Sequence, residues 1–439
     1  MAGTAQSDRG GTATVVWIGI GLAGALWATA APAAASDPVT EWNRIAAQKV
    51  VSQTSVPIEQ TRLMAIVQVT VHDAVSSITG AYETYGEHGT APAGASPAAA
   101  AVGAAYHALK LLVTGTPAGD LDSLLAQSLT AHGISVSDPG LEFGRSVAVD
   151  LLALRDGDGS SLADSQFPYI APNAGAPGVW ELLPGQVALR PGWGNVKPWV
   201  LRNGGQFRPD PPPALDSAQY AMDLNEVMAI GRKTGLPQTP EQQEREYIAR
   251  FWRASPTAIW NVVLNDILDA RNLDLSTAAR SCALVYLAAA DSSTAVWEAK
   301  YFYNFWRPQP AIMRADEDGN DRTEPPADAP WTPLLPTPAH PEYPSAHTTN
   351  SGAMAFVLTK LFGDAPGVPL EVTQPSGIPE PTHITRQWST IGEALDEVID
   401  ARIYSGFHFR TADVVGARLG RQVGRFVLTH ALPPTRPKR

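Results

Sequence analysis

The chain has 439 residues, which is enough for one large domain or two ordinary ones. Hydrophobic residues make up 44% of it and charged residues only 17%, and its single cysteine allows no intramolecular disulfide. The formal net charge is −11, without a basic tract. This balance argues against nucleic acids and anionic membranes as partners, and it makes any local cluster of cations informative.

The N-terminal segment, residues 1–36, has the pattern of a secretory signal peptide. Arg9 gives a weakly basic start, Val15 to Ala30 is an apolar run broken by glycine, and small residues follow that suit cleavage. The run is too short and too rich in Gly and Ala for a membrane span. We therefore expect a secreted protein, extracellular or periplasmic, whose residues 37–439 form a single domain. An uncleaved N-terminal anchor is the alternative.

Helical periodicity dominates the rest of the chain, because apolar residues recur at spacings of three and four. Two proline-rich stretches, Gly157 to Pro213 and Asp316 to Tyr343, are predicted to be long loops. No convincing period-two strand is present, so we predict an all-α fold. The predicted helices are Glu41 to Gln53, Ile58 to Thr79, Pro97 to Thr114, Leu121 to His132, Pro139 to Arg155, Ala218 to Gly231, Pro240 to Arg253, Thr257 to Ala270, Leu275 to Trp306 and a helix after Ser345 that runs through Leu361.

The first of three motifs lies at the end of the longest predicted helix. Lys300 and Arg307 are seven residues apart, so they share a face on a continuous helix, which Pro308 is predicted to end. Two buried cations on this aromatic segment would be costly without an anion. The alternative is a pair of solvated basic side chains that extend from an aromatic stripe.

The second motif is Pro344-Ser345-Ala346-His347. Ser345 stands where the N-cap of an apolar helix belongs, and the free N–H groups and positive dipole end there favour an anion. The Ser345 hydroxyl and the Ala346 N–H would bond an oxyanion, with His347 nearby as acid or base. The alternative is a simple cap beside a surface histidine.

The third motif joins Arg402, Gly406 and His408. Gly406 lets the backbone bend or approach a ligand, and Asp413 or a backbone carbonyl would fix the tautomer of His408. The alternative is a core histidine beside a surface arginine. Together the three motifs supply the cationic donors, hydroxyl, helix N-terminus and histidines that a tetrahedral oxyanion needs.

In order and spacing these motifs resemble the signature of the vanadium-dependent haloperoxidase and type 2 phosphatidic acid phosphatase superfamily. The resemblance covers residues 297–413, and the stretch 71–75 together with Trp297 is similar to secreted bacterial haloperoxidases. It implies a helical bundle of that superfamily's type, which holds vanadate, or phosphate in the same site.

The resemblance also implies a role for each motif residue. His408 would be the axial ligand of vanadate or, in a phosphatase, the nucleophile that forms a phosphohistidine. His347 would be the acid–base group, and Lys300 would also polarise bound peroxide. The oxygens of the anion would be bound by Lys300, Arg307, Ser345, Ala346 and Arg402.

Three further residues are expected to tune the site. His340 lies five residues before Ser345, where the resemblance associates histidine with bromoperoxidases and phenylalanine with chloroperoxidases, so bromide and iodide are favoured; a structural loop histidine is the alternative. Trp297 precedes Lys300 by three residues. The chain departs from the superfamily at Ala346, where Gly is most frequent, and at Asp413, which follows His408 by five residues where many members have four.

The implied activity is oxidation of halide by hydrogen peroxide at a histidine-bound vanadate, followed by halogenation of a small organic acceptor. Two alternatives remain open. One is a secreted acid phosphatase that acts through a phosphohistidine, and the other is a non-catalytic oxyanion-binding protein. No nucleic acid partner and no membrane span after signal removal are expected, and a homodimer is possible.

Overall fold

The protein is described by a computed structural model over residues 37–162, 169–233, 235, 239–323 and 330–435. The predicted signal segment, 1–36, lies outside the described residues. Within them the all-α prediction is confirmed. The α-helices are α1 Pro38–Gln53, α2 Pro57–Thr79, α3 Pro97–Leu112, α4 Leu121–Ala131, α5 Pro139–Arg155, α6 Ala218–Ile230, α7 Pro240–Phe251, α8 Pro256–Arg271, α9 Leu275–Tyr303, α10 Pro308–Met313, α11 Ala346–Phe362, α12 Ile391–Tyr404 and α13 Arg410–His430.

Local chemistry explains where many of these helices begin. Ser96, Asp138 and Ser255 each accept a hydrogen bond from a backbone N–H in the first turn of α3, α5 and α8. Each is followed by proline, whose fixed φ suits the first helical position and whose missing N–H costs nothing there. These signals are local, so the sequence predicts these three N-termini to within one residue.

A short hairpin corrects the prediction that strands are absent. Strand β1, Leu370–Pro375, pairs antiparallel with β2, His383–Trp388, so that Leu370 lies opposite Trp388. Leu370 and Val372 of β1 are buried and alternate with exposed residues. Two strands of six residues give too few alternations to stand out in a helical sequence.

The C-terminal end of α9 also differs from the prediction. The helix ends at Tyr303, because Asn304 adopts the left-handed conformation with φ of 47°. Pro308 does not end this helix but begins the short helix α10, with Arg307 in extended conformation just before it. The helices α10, α12 and α13 were not predicted, whereas both predicted loops contain only short 3₁₀ turns over their described residues.

Two helix pairs pack closely because glycines face the partner's backbone. In the first pair, α3 and α5, a methyl group on Gly140 would lie 2.6 Å from Ser96 O, and one on Gly144 would lie 2.4 Å from Ala100 O. A step of four residues along α5 corresponds to a step of four residues in the same direction along α3. The helices are therefore parallel, and both begin at the same end of the pair.

The second pair, α11 and α13, is built in the same way. A methyl group on Gly416 would lie 2.6 Å from Ser345 O, and one on Gly420 would lie 2.0 Å from Thr349 O. These two helices are also parallel, so their N-termini lie side by side. The long helices α2 and α9 pack against each other and against α3 and α11 respectively, which places α9 against the second pair.

The core extends over most of these helices, and Cys282 is fully buried within α9, as predicted. In the part of the chain that the structure describes, no helix is both long enough and apolar enough to cross a lipid bilayer.

Candidate functional site

The first motif contributes two buried cations that do not share a helical face. Lys300 lies in the last turn of α9 and Arg307 lies beyond its end, on the extended segment that leads into α10. Lys300 is 0% exposed and Arg307 is 1% exposed. The expected convergence is therefore present, but the left-handed turn at Asn304 produces it, and not the spacing of seven residues on one helix.

Backbone carbonyl groups hold both cations in place. Lys300 Nζ donates to Pro341 O and Glu342 O, each at 2.8 Å. Arg307 Nε donates to His340 O at 3.0 Å, and Arg307 Nη1 donates to Phe407 O at 2.8 Å. The carbonyls belong to the segments around the second and third motifs, so these bonds bring the three motifs together.

The second motif lies at the N-terminus of α11. Ser345 is the N-cap residue but its side chain makes no capping hydrogen bond, and Ala346 is the first helical residue. The Ser345 hydroxyl is buried and has no hydrogen-bond partner among the described residues. An unpaired buried hydroxyl beside uncapped N–H groups is what a bound oxyanion would satisfy.

His408 is oriented by a residue that the sequence analysis did not single out. His408 Nδ1 lies 2.7 Å from Glu342 Oε1, and His408 Nε2 lies 3.1 Å from Arg307 Nη1. A carboxylate accepts and a guanidinium only donates. The neutral ring therefore carries its proton on Nδ1, and the lone pair on Nε2 faces the cations.

Glu342 makes the contact expected of Asp413, which is a correction to the sequence analysis. Both carboxylate oxygens of Asp413 are buried without a hydrogen-bond partner among the described residues. The helix α13 begins at Arg410, which turns Asp413 into its first full turn, away from His408 Nδ1. The signal that could have found Glu342 is an acidic residue between His340 and Ser345 in an otherwise proline-rich loop.

The side chain of Arg402, in the last turn of α12, joins the same cluster. Its Nη1 donates to Trp252 O at 2.9 Å, whereas its Nε is buried without a partner among the described residues. The guanidinium lies over the Phe407 ring, 4.5 Å from its centre, and Arg307 lies 6.0 Å from the same ring. The Phe407 ring thus makes cation–π contacts with both guanidinium groups.

The two other histidines occupy different positions around the cluster. Arg307 Nη2 donates to His340 Nδ1 at 3.0 Å, and the Trp297 ring lies 4.9 Å from the His340 ring. His347 Nε2 lies 3.2 Å from Ala254 O, which only accepts, so the neutral ring keeps Nδ1 free as a base. His347 is half-buried, whereas the other motif side chains are buried, so it stands where solvent reaches the site.

Burial of so many cations shifts the ionisation of the whole site. Burial lowers the pKa of Lys300 well below its usual range, that of Arg307 to about 10 and that of Arg402 to about 9. Burial, and then the neighbouring Arg307, also lower the pKa of His408 well below its ordinary value, so its ring is neutral. Because burial is the first cause of each shift, negative charge placed close to these groups would stabilise their charged forms.

The two buried acids offset only part of that charge. Burial raises the pKa of Glu342 to about 7, although Arg307 and Lys300 oppose the shift. Burial raises the pKa of Asp413 well above its usual range, against the opposing effects of Ser345 and Arg402. Three cations therefore face at most two carboxylates, which leaves the cluster suited to an additional anion.

The donor set fits a tetrahedral oxyanion such as vanadate or phosphate. The buried Ser345 hydroxyl and Arg402 Nε lack partners among the described residues, and Lys300 and the start of α11 add further donors. His408 Nε2 is the lone pair that can bond the central atom. The predicted site residues are thus brought together, except that Asp413 leaves the orienting contact to Glu342.

Comparison with known proteins gives the same picture. A family model for the VCPO second helical-bundle domain matches residues 280–435. The vanadium chloroperoxidase of Curvularia inaequalis is 24% identical over 285 residues, which cover 52% of this chain. The match spans 46% of that fungal enzyme, so about half of its length has a counterpart here.

Solved structures show the likeness over most of the fold. The crystal structure of a bacterial vanadium-dependent iodoperoxidase is similar with a TM-score of 0.74 and 25% identity, and the match covers 91% of this chain and 98% of that one. A bacterial vanadium-dependent chloroperoxidase in its holo form is similar in fold, with a TM-score of 0.65 and 19% identity, over 90% of this chain and 98% of that one. Residues 280–435 therefore match the VCPO second helical-bundle domain, and the fold of the described residues is similar to that of vanadium-dependent haloperoxidases.

Proposed function

We propose that this protein is a vanadium-dependent haloperoxidase that uses hydrogen peroxide to oxidise halide, with bromide and iodide favoured over chloride. The observation that carries the proposal is the burial of three cations, a neutral histidine lone pair and a serine hydroxyl that has no partner among the described residues, all around one position. The likeness to the iodoperoxidase supports the peroxidase activity, and the presence of histidine at position 340, five residues before Ser345, supports the halide preference.

Each residue of the site has a distinct role in this proposal. Lys300, Arg307 and Arg402 bind and orient the oxygens of vanadate, together with the Ser345 hydroxyl and the Ala346 N–H. His408 Nε2 bonds the metal centre. When bound, vanadate supplies a Lewis acid that activates peroxide toward halide.

His347 is the residue that transfers protons in this proposal. Its Nε2–H is held by Ala254 O, so Nδ1 is the atom that accepts a proton from peroxide or returns one to a leaving oxygen. Burial, and then Arg402, lower the pKa of His347 well below its ordinary value, which keeps the ring neutral and its Nδ1 lone pair available. Its partial exposure lets it exchange that proton with solvent.

Burial of the site also bears on the phosphatase alternative. A vanadate ion, peroxide and halide are small, whereas a phosphate ester must bring its organic group along. Lys300, Ser345 and His408 are each at most 2% exposed. This enclosure favours small inorganic reactants over esters.

Reconstitution with orthovanadate tests the proposal. We expect the loaded protein to brominate monochlorodimedone when peroxide and bromide are supplied, and we expect His408→Ala to abolish this activity. The exposed His383, in β2, offers the matched control His383→Ala, which should keep full activity. Hydrolysis of p-nitrophenyl phosphate without any bromination would replace the haloperoxidase by the phosphatase. Tight vanadate binding without either activity would support the oxyanion-binding protein.

We also propose that residues 1–36 direct export of the chain, on the basis of their composition alone. Expression of the full chain in a bacterial host should yield protein outside the cytoplasm with an N-terminus near residue 37. Full-length protein confined to the cytoplasm would contradict this.

A further inference from the structure

We propose that Glu342 is the positioning residue that sets the tautomer and direction of His408 and thereby makes this site bind oxyanions through histidine. The inference rests on the proposed function of the site only in so far as His408 bonds the central atom of the anion. Vanadate and phosphate share the relevant chemistry, because both present a tetrahedral centre to the Nε2 lone pair.

The contacts of Glu342 reach all three motifs. Its backbone N–H donates to Phe305 O at 2.9 Å, and its backbone carbonyl accepts from Lys300 Nζ at 2.8 Å. Both bonds tie it to the segment of the first motif. It stands three residues before Ser345 in the second motif, and its side chain reaches His408 in the third.

The carboxylate holds both the side chain and the backbone at the third motif. Glu342 Oε1 accepts from His408 Nδ1 at 2.7 Å and from the backbone N–H of Phe409 at 3.0 Å. A hydrogen bond to the ring alone would let the imidazole move together with the backbone of His408. Two bonds from adjacent residues to one oxygen fix the imidazole against the backbone that carries it, and so fix where Nε2 lies.

This arrangement also selects the atom that can act. A histidine with its proton on Nε2 would offer Arg307 Nη1 a donor instead of an acceptor and would present no lone pair to the cations. The carboxylate prevents this by accepting from Nδ1. It also lies fully buried at 0% exposure, where a charged acceptor interacts more strongly with the ring than it would in water.

No other described group takes this role. Asp413 makes no hydrogen bond to His408, and the nearest bond of Arg307 to the third motif goes to Phe407 O and to Nε2 itself. A purely structural role for Glu342 would consist of satisfying the Phe409 N–H alone. The test must therefore separate the bond to the ring from the bond to the backbone.

Nitrogen-15 NMR of histidine side chains in the anion-free protein reads the tautomer directly, and His408→Gln assigns the signal. We expect wild type and Glu342→Gln to carry the proton on His408 Nδ1, because the amide oxygen still accepts. Glu342→Leu, which cannot accept, should populate the Nε2–H form. Calorimetry with orthovanadate and with phosphate should show affinity about 10-fold lower for Glu342→Gln and about 100-fold lower for Glu342→Leu.

Asp73→Asn is the matched control, since Asp73 is a buried carboxylate of α2 that also accepts from a histidine, His88 Nε2 at 2.9 Å, and from backbone N–H groups, and it bonds none of the three motifs. It should leave the tautomer and both affinities unchanged. A wild-type His408 with its proton on Nε2, or a Glu342→Leu protein that keeps the Nδ1–H form and binds both anions as wild type does, would overturn the proposal. If Glu342→Leu fails to fold, Glu342→Ala, which also cannot accept from the ring, decides in its place.

These outcomes are independent of the proposed activity. A change of tautomer and a fall in both affinities in Glu342→Leu support the positioning role even where vanadate-loaded wild type shows no bromination. A normal tautomer and normal affinities in Glu342→Leu overturn it even where the wild type is an active haloperoxidase.

Discussion

The two parallel helix pairs are packed alike but differ in how their N-termini are capped. In the α3/α5 pair, Ser96 Oγ accepts from Ala99 N at 3.1 Å, and Asp138 Oδ1 accepts from Gly140 N at 2.8 Å and from Ser96 N at 3.1 Å. In the α11/α13 pair, neither N-cap residue, Ser345 or Phe409, provides a side-chain cap.

This difference indicates that the N-termini of the first pair serve stability, whereas those of the second pair serve ligand binding. The first pair satisfies its own N-terminal N–H groups, so it has nothing to offer a ligand. In the second pair the start of α11 has no side-chain cap and lies in the same cluster as the cations Lys300, Arg307 and Arg402, so a bound oxyanion would complete it. Of these two similarly packed pairs, the candidate binding site therefore lies at the pair whose N-cap residues make no side-chain capping bond.

The largest expected effect tests the shared packing. Gly144→Ala and Gly420→Ala should each lower the free energy of unfolding by about 3 kcal/mol, because each new methyl group meets a backbone carbonyl that cannot yield. Chemical denaturation measures this. Orthovanadate affinity should fall only in Gly420→Ala, and an equal fall in Gly144→Ala would remove the distinction between the pairs.

Ligand binding should raise the free energy of unfolding by slightly less than the glycine substitutions lower it. At an orthovanadate concentration 100 times its Kd, the free energy of unfolding should rise by about 2.7 kcal/mol. Hydrogen exchange should then slow at the first turn of α11, where N–H groups gain partners, and stay unchanged at the first turns of α3 and α5. Equal protection at both pairs would contradict the comparison.

Removal of each serine sharpens the contrast further. Ser96→Ala deletes a working cap and should cost about 1 kcal/mol of stability without any change in orthovanadate affinity. Ser345→Ala deletes a hydroxyl that has no partner among the described residues, so thermal unfolding of the anion-free protein should not weaken, whereas affinity should fall about tenfold. The reverse pattern would show that Ser345 is only a cap.

The smallest effect concerns the pH dependence of the first pair. His88, in the loop before α3, lies 2.9 Å from Asp73 Oδ2 and 3.3 Å from Asp150 Oδ2 on α5. Burial opposes the charged ring, but the bonds to Asp73 and Asp150 outweigh it and raise the pKa of His88.

A raised folded pKa gives stability that is full below the unfolded value of about 6.5 and lost as pH rises through the folded value. Thermal unfolding of wild type should therefore lose this contribution at alkaline pH, and His88→Gln should flatten the profile in that window. The profile of orthovanadate affinity against pH should not change in His88→Gln, and a change would link the two pairs.

Much of the fold follows from local signals in the sequence. Caps such as Ser96 and Asp138 followed by proline fix helix starts, and apolar spacing fixes helix type. Helix α12 was missed although Thr390 and Glu393 form a capping box. Helix α13 was missed because Gly416, Gly420 and Gly424 lower helix propensity, and only the packing against α11 explains why they are there.

The site was predictable as a set of residue types but not as a geometry. The cations, Ser345 and both motif histidines converge as expected. The turn at Asn304, which brings Arg307 to His408, depends on tertiary contacts such as Trp306 N to Gly178 O. Glu342 was missed because loop residues carry no periodic signal, and its role arises only when three distant segments meet.

Peptide carbonyl groups hold the three cationic side chains in position. Pro341 O and Glu342 O hold Lys300, Phe407 O holds Arg307, and Trp252 O holds Arg402. A carbonyl dipole orients a cation without cancelling its charge, and it has no proton to gain or lose. These anchors therefore do not titrate themselves, and they do not depend on the side chains of the residues that carry them. Evolution or engineering can alter the Trp252 side chain to admit new reactants while the anchor of Arg402 remains.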